Sequence, residues 1–128
     1  MVGELLTRYS LPDPAVNHVP GVFADATIQG LYNSLISAGS ASLLDGMIVG
    51  ATIEDLDIYD LEHLVSTVID NQDITWVFGN LERGSRNHMR SFYSQILKRG
   101  GSYTPQFISP AYFQQIVSSS HEGGTGCP

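Results

Sequence analysis

The sequence predicts an all-α protein whose centre is an antiparallel hairpin of two long helices. Residues 40–70 and 72–99 each place apolar side chains at alternating spacings of three and four, the pattern of a helix that is buried on one side. A short polar connection near Asn71 separates the segments, and so few residues oblige consecutive helices to run antiparallel. The first stripe contains Met47, Ala51, Ile58, Leu61, Val65 and Val68, and the second contains Ile74, Phe78, Leu81, Phe92 and Ile96.

The composition indicates one folded, acidic domain. Hydrophobic residues make up 42% of the 128 residues and are spread periodically, which argues against disorder. The chain has 6 Lys and Arg against 13 Asp and Glu, a net charge of −7, and no basic cluster, so nucleic acid is not an expected partner. No apolar run approaches the roughly 20 residues of a transmembrane helix. We expect a single domain over residues 1–118 and a flexible, glycine-rich tail over residues 119–128.

The N-terminal third predicts two short helices joined by an extended connection. Residues 2–9 have the pattern of the last turns of a helix, which the prolines after Leu11 stop. Residues 12–23 are rich in Pro, Asn and Gly and predict a crossover, and residues 26–38 predict an amphipathic helix that ends at Gly39. Because residues 2–9 have only the pattern of the last turns, the earlier turns of this helix are expected to be missing, which indicates a chain cut short at the N-terminus. The missing signal peptide therefore leaves a secreted origin open.

The start of the first long helix has a cap residue, and two glycines lie within the helix. Ser40 or Ser42 is the expected N-cap, and Asp45 in the first turn suits the positive end of the helix dipole. Gly46 and Gly50 lie inside the helix, where each glycine costs about 1 kcal/mol relative to alanine. We expect these two glycines to permit the close approach of a neighbouring helix.

The second long helix and a short terminal helix follow. Asp73 is the expected N-cap of the second long helix, and the glycines at 100–101 end it. After an extended connection, Ser109 and Pro110 begin a final helix over residues 109–118.

Glu54 and His88 interrupt the two apolar stripes at the same level of the predicted hairpin. Glu54 lies 17 residues before Asn71 and His88 lies 17 residues after it, so similar rises per residue bring them together in the bundle core. A buried carboxylate is costly without a partner, and a metal ion satisfies it together with a neutral imidazole. A hydrogen-bonded Glu–His pair without metal explains the same spacing, so the residues alone leave both interpretations open.

Asp57 and Ser85 form the next level of the hairpin beside this pair. Asp57 follows Glu54 by three residues and so shares its side of the helix. Three roles remain open for Asp57: a partner that orients His88, which we prefer, a metal ligand, or a boundary carboxylate in water.

The other polar candidates have simpler interpretations. His63 is expected to be a partly exposed polar residue, and His18 and His121 to lie in a loop and the tail by chance. Arg86 either neutralises a nearby acid or lies on the surface. Cys127 is the only cysteine and cannot form an internal disulfide. The sequence also lacks a dinucleotide fingerprint, a phosphate loop and a nucleophile elbow.

Three runs of the sequence closely resemble a bacterial and archaeal ferritin-like family catalogued as domain of unknown function 2202. They are residues 49–61 (VGATIEDLDIYDL), residues 80–88 (NLERGSRNH) and residues 100–106 (GGSYTPQ), and the resemblance extends from Met1 to about Gly123. It implies a four-helix bundle with a dinuclear metal centre, to which the third helix contributes Glu54 and the fourth contributes His88. In that family the second helix carries Glu-x-x-His followed by Met, and Met1 aligns with that Met. The resemblance therefore implies that the first helix and the ligand-bearing part of the second are absent here.

Two functions are compatible with this resemblance. The first is a ferritin-like metal-binding protein related to di-iron oxidases or peroxidases, at most an oxidoreductase. Its incomplete ligand set, Glu54 and His88, would hold iron, manganese or zinc. The second is a non-enzymatic assembly subunit that associates through exposed helix faces. In either case we expect a homo-oligomer, or a partner chain that completes the bundle, because large bare apolar patches are rare in monomers.

Overall fold

The structure of the chain, a computed structural model, describes residues 1–15 and 19–124. These residues form helices and no strand, which confirms the predicted all-α class. The predictions for His18 and Cys127 concern residues outside the described part. None of the described helices has the length and apolar character needed to cross a membrane. In chain order the helices are α1 (Val2–Arg8), α2 (Ala26–Gly39), α3 (Leu43–Thr67), α4 (Gln72–Lys98) and α5 (Pro110–Ser118).

Helices α3 and α4 pack against each other as the predicted hairpin. Helix α3 is three residues shorter at each end than the predicted segment 40–70. The hydroxyl of Ser42, one of the two expected N-caps, accepts a hydrogen bond from the amide of Asp45 at 3.1 Å. Helix α4 ends one residue before the predicted position, and Gly100 beyond it has a φ of 72°, the left-handed conformation that stops a helix.

The prediction that Asp73 is the N-cap of α4 is wrong, because Asn71 occupies that position. The carboxylate of Asp73 lies in the first turn, where it accepts hydrogen bonds from the Arg8 guanidinium at 2.7 Å and the Tyr9 hydroxyl at 2.9 Å. These contacts join α1 to the start of α4. Their partners are more than 60 residues apart, so the local sequence around Asp73 does not reveal them.

Helix α5 and the loop before it cover one side of the hairpin and complete the core. Phe113 and Ile116 of α5 are almost fully buried, and the ring of Phe113 packs edge-on against Tyr93 with centroids 5.1 Å apart. The guanidinium of Arg90 donates to the carbonyl of Ile116 at 2.9 Å. The buried core consists of Ala51, Ile58, Met89, Ile96, Tyr103, Ile108, Phe113 and Ile116.

A buried carboxylate, Asp55, holds the loop between α4 and α5 against α3. Its side chain is 0% exposed. Oδ2 accepts hydrogen bonds from the Tyr103 hydroxyl at 2.8 Å and from the amides of Gln106 and Phe107. Oδ1 accepts one from the amide of Ile108 at 2.9 Å. These donors compensate for the lost hydration of the charge.

Gly50 allows α3 and α4 to approach closely, as the sequence predicts. A Cβ at this position would overlap the ring of Phe92 on α4. Gly46 differs, since a Cβ there would make only an ordinary contact with the carbonyl of Gly39, at 3.6 Å. Close packing therefore explains the glycine at position 50 but not the one at position 46.

Candidate metal centre

An open groove runs between α3 and α4 on the side of the hairpin that carries Glu54. Consecutive residues of a helix point about 100° apart, so Glu54 lies on a different face of α3 from Asp55. The groove has a volume of about 550 Å³. Its polar lining is Glu54, Asp57, Asp60, Asn80, Ser85 and His88, and its apolar or small lining is Leu61, Leu81 and Gly84.

Glu54 and His88 meet in this groove, which confirms their predicted juxtaposition. Glu54 Oε1 lies 3.2 Å from His88 Nδ1. The two side chains differ in exposure, with 12% of Glu54 and 65% of His88 accessible to solvent. The expectation that both lie in the core is therefore wrong for His88, whose ring lies at the rim of the groove because no other part of the described chain covers it.

Burial makes the carboxylates of the groove harder to ionise. The pKa of Glu54 is raised, mainly because burial removes water from the carboxylate, while the Ser85 hydroxyl and the His88 ring lower it and Asp57 raises it further. The pKa of Asp57 is also raised, by burial and then by the charge of Asp60, while His88 lowers it. Both shifts show that the chain compensates these carboxylates incompletely, and a cation bound nearby would lower both pKa values.

Ser85 and Asp57 both line the groove next to the Glu54–His88 pair, as the hairpin register predicts. Ser85 is 7% exposed and lowers the pKa of the Glu54 carboxyl, whereas Asp57 is exposed. In the part of the chain that the structure describes, no hydrogen bond joins Asp57 to His88. The orienting role of Asp57 stays a prediction.

The pair fits a metal ion as a partial ligand set. Two ligand atoms that each lie about 2.1 Å from one ion stand roughly 3 Å apart, and the observed 3.2 Å suits this arrangement as well as a hydrogen bond. Among residues 1–15 and 19–124, no group of three or more His, Cys, Asp or Glu side chains is arranged to hold an ion. Catalytic zinc sites commonly have three protein ligands. A metal ion held by this pair would therefore need further ligands from outside the described residues.

The remaining histidines lie away from the pair. The ring of His63 stacks on Tyr59 with centroids 6.0 Å apart, and His63 is exposed. His121 is exposed and lines a separate surface pocket beside Arg86 and Arg90. Neither histidine lines the groove that contains His88.

The described part of the predicted tail, residues 119–124, contacts α4 through Glu122. The carboxylate of Glu122 accepts two hydrogen bonds from Arg86, at 2.8 and 2.6 Å, and one from Arg90 at 2.7 Å. The side-chain amide of Asn87 donates a hydrogen bond to the backbone carbonyl of Glu122 and accepts one from the backbone N–H of Glu122. Arg86 also pairs with Glu82, so it neutralises acids, which is the first of the two roles that the sequence leaves open for it. A single Glu in a glycine-rich tail gives no sequence signal for such a contact.

Glu122 should stabilise the fold in a pH-dependent manner. Its pKa is lowered to about 2, first by hydrogen bonds from Arg86 and then by Arg90. Because the pKa in the folded chain is below the unfolded value of 4.5, this stabilisation is present above pH 4.5 and disappears as the pH falls toward 2. After a discount for the partly exposed carboxylate, we expect Glu122→Gln to lower the free energy of unfolding by about 1–2 kcal/mol at pH 7.

Urea unfolding of both proteins from pH 2 to pH 7 checks this expectation. The difference between the wild type and Glu122→Gln should vanish near pH 2, while the exposed control Glu62→Gln should show little difference at any pH. An equal difference at pH 2 and pH 7 would contradict the ionic role of Glu122.

Comparisons with known proteins agree with this helical architecture. Residues 1–120 match a family model described as an uncharacterized protein domain, DUF2202. The chain is 48% identical over 123 residues to the uncharacterized protein MJ0754 of Methanocaldococcus jannaschii, covering 96% of this chain and 66% of that protein. The crystal structure of the hypothetical protein MJ0754 from Methanococcus jannaschii superimposes with a TM-score of 0.91 at 47% identity, covering 94% of this chain and 69% of that one. The chain therefore belongs to the DUF2202 family.

Proposed function

We propose that this chain is a ferritin-like metal-binding protein that holds a divalent ion through Glu54 and His88. The observation that carries the proposal is the 3.2 Å approach of Glu54 Oε1 to His88 Nδ1 in an open groove. A carboxylate oxygen and an imidazole nitrogen are ligands for iron, manganese and zinc. Iron or manganese would supply one-electron redox chemistry when bound, and oxidation of ferrous iron or reduction of an oxidant is the class of reaction to test.

The charges in the groove support a metal ion over a purely structural pair. Three carboxylates, those of Glu54, Asp57 and Asp60, line the groove, and none of its described lining residues is Lys or Arg. His88 is 65% exposed, so its ring has water available and gains little by pairing with Glu54. A divalent cation would offset the charge that burial makes costly for Glu54.

The residues around the pair have separate roles in this proposal. Glu54 and His88 supply the two donor atoms, and Ser85 lines the groove beside them and lowers the pKa of the Glu54 carboxyl. Asp57 and Asp60 raise the local concentration of cations at the groove. Metal ligands must be deprotonated, so metal binding should weaken as the pH falls.

Metal uptake by two variants tests the proposal. We expect Glu54→Ala and His88→Ala each to abolish stoichiometric uptake of Fe²⁺, Mn²⁺ or Zn²⁺, because either change leaves a single donor. Elemental analysis after anaerobic loading and gel filtration gives the stoichiometry, and far-ultraviolet circular dichroism checks that the helices persist. The matched controls Glu62→Ala and His121→Ala remove an exposed carboxylate and an exposed imidazole outside the groove and should bind as the wild type does. Unchanged uptake in both Glu54→Ala and His88→Ala would overturn the proposal.

The accessible surface favours a second candidate, a non-enzymatic assembly subunit. Neither α1 nor α2 contains a buried residue, and Ile28, Leu31 and Ile36 of α2 are exposed. In this case the chain would form an oligomer with or without metal. A monomer at high concentration in light-scattering measurements would contradict this candidate.

A further inference from the structure

We propose that the face of α4 formed by Arg86, Asn87 and Arg90 is a binding site for a glutamate residue of an acidic peptide from another protein. In this chain the site is occupied by Glu122 of the tail, which therefore competes with such a ligand. The inference does not depend on the proposed metal binding, because none of these four residues lines the groove of the candidate metal centre.

Two guanidinium groups bind the carboxylate of Glu122. Arg86 donates from Nε to Oε1 at 2.8 Å and from Nη2 to Oε2 at 2.6 Å, which makes a bidentate pair. Arg90 adds a hydrogen bond from Nη2 to Oε1 at 2.7 Å. A glutamine in the same place would turn its NH₂ group toward one of these donors. The site therefore selects an acidic side chain, as arginine clusters that recognise acidic motifs do.

Asn87 binds the backbone of the same tail residue. Its Oδ1 accepts a hydrogen bond from the N–H of Glu122 at 2.9 Å, and its Nδ2 donates one to the carbonyl of Glu122 at 3.0 Å. A phosphate ion or a simple carboxylic acid has no peptide N–H to donate to Asn87. The combined contacts therefore recognise a glutamate residue within a peptide rather than a free anion.

Other contacts hold the site residues in place without the tail. Arg86 also pairs with Glu82 through Nη1. Arg90 donates from Nε to the carbonyl of Ile116 at 2.9 Å and from Nη1 to Oδ1 of Asn87 at 2.8 Å. These contacts do not involve the tail, so the two guanidinium groups should keep their orientation when the tail leaves. A site that is already ordered binds a new ligand at a lower entropic cost.

The tail is attached in a way that allows it to leave. Within residues 120–124, Glu122 makes all the hydrogen bonds to the rest of the described chain, and the other four residues are exposed. Segments with few buried contacts open at low free-energy cost. Departure of the tail would leave Arg86 and Arg90 with only Glu82 between them, an excess positive charge that favours an acidic ligand.

The surface next to Glu122 has room for the residues on either side of a bound glutamate. A pocket of about 440 Å³ lies against Arg86 and Arg90 and is also lined by Tyr112, Gln115 and His121. Its lining offers polar groups to a peptide backbone. A ligand longer than one residue therefore fits at this site.

Binding of a short peptide to the full chain tests the inference. The probe is the acetylated and amidated peptide Ser-His-Glu-Gly-Gly, the sequence of residues 120–124, titrated into isotope-labelled Glu122→Gly. We expect a dissociation constant on the order of 1 mM and nuclear magnetic resonance shifts at the amides of residues 86–90. The wild type should bind about tenfold more weakly, because its own tail competes at a millimolar effective concentration.

Two further comparisons separate peptide recognition from general attraction of anions. The same peptide with glutamine in place of glutamate should bind at least about tenfold more weakly, because it loses the charge-assisted hydrogen bonds. Asn87→Ala in the Glu122→Gly chain should weaken binding of the glutamate peptide by about tenfold. The matched control Gln95→Ala removes another side-chain amide of α4, one that contacts Arg99, and should leave binding unchanged.

Three results would overturn the inference. They are no saturable shift in a folded Glu122→Gly chain, equal binding of the glutamate and glutamine peptides, and equal affinity of the wild type and Glu122→Gly. Circular dichroism shows whether Glu122→Gly is folded. If it is not, the wild type decides alone: peptide at about tenfold higher concentration should shift the Glu122 amide as the tail is displaced, and an unmoved Glu122 amide would contradict the inference.

Discussion

Asp55→Ala is expected to lower the free energy of unfolding by about 3–5 kcal/mol. The carboxylate is 0% exposed and accepts hydrogen bonds from the Tyr103 hydroxyl and from three backbone amides of the loop over residues 106–108. Removing it leaves these donors without a partner, and each unsatisfied buried donor costs about 1–3 kcal/mol. The loss is a large share of the roughly 5–15 kcal/mol that stabilises a typical domain.

Urea unfolding monitored by circular dichroism measures the effect of Asp55→Ala. The control Asp60→Ala lies on the same helix, five residues further on, and removes an exposed carboxylate, so it should change stability by no more than about 0.5 kcal/mol. A loss below about 1 kcal/mol in Asp55→Ala would show that the loop does not depend on this carboxylate.

Phe113→Ala is expected to lower the free energy of unfolding by a similar amount, about 3–5 kcal/mol. The ring is 1% exposed and lies between Tyr93, at a centroid distance of 5.1 Å, and Tyr103, at 5.8 Å. Truncation removes the buried apolar area and leaves a cavity between α5 and the hairpin. Because α5 has only nine residues, it is too short to be stable alone and should detach.

Phe113→Leu is the control for this cavity. It keeps most of the buried volume and should lose less than half as much stability as Phe113→Ala. Hydrogen exchange of the α5 amides would show whether the helix detaches. Equal losses in the two variants would mean that the edge-on contact with Tyr93, and not the filled volume, is what Phe113 contributes.

The hairpin and the Glu54–His88 pair could be predicted because both depend on local regularities. Helical periodicity and a short connection fix the register, and this register brings Glu54 Oε1 to 3.2 Å from His88 Nδ1. The exposure of His88 could not be obtained in this way. Periodicity gives the face on which a residue lies, but not whether another element covers that face.

The hydrogen bonds of Asp55 and Glu122 could not be predicted from the sequence. The partners of Asp55 lie 48–53 residues further along the chain, and those of Glu122 lie 32–36 residues before it. Their roles depend on how loops return to the hairpin, for which no periodic pattern exists. One signal was available for Asp55, because a charged residue three positions before Ile58 and four after Ala51 lies on the core side of the helix.

The Gly50–Phe92 contact shows how far glycine placement can be interpreted. Two glycines inside one helix predict close packing, and the structure requires glycine at Gly50, under Phe92, but not at Gly46, where a Cβ would make an ordinary contact with Gly39. Nothing in the sequence distinguishes Gly84, yet it lines the groove with nothing of the described chain over it. The sequence does not distinguish a glycine packed against a neighbouring helix from one on an uncovered helix face, because the difference lies in the neighbouring elements.

Electron spin-echo spectroscopy of bound Mn²⁺ tests most directly whether the Glu54–His88 pair holds a metal. One equivalent of Mn²⁺ would be added to the metal-free chain, because an imidazole that coordinates Mn²⁺ gives a nitrogen modulation that water and carboxylates do not give. We expect this modulation in the wild type and in His121→Ala, and its loss in His88→Ala. Bound Mn²⁺ without nitrogen modulation in the wild type, or with modulation that persists in His88→Ala, would contradict it.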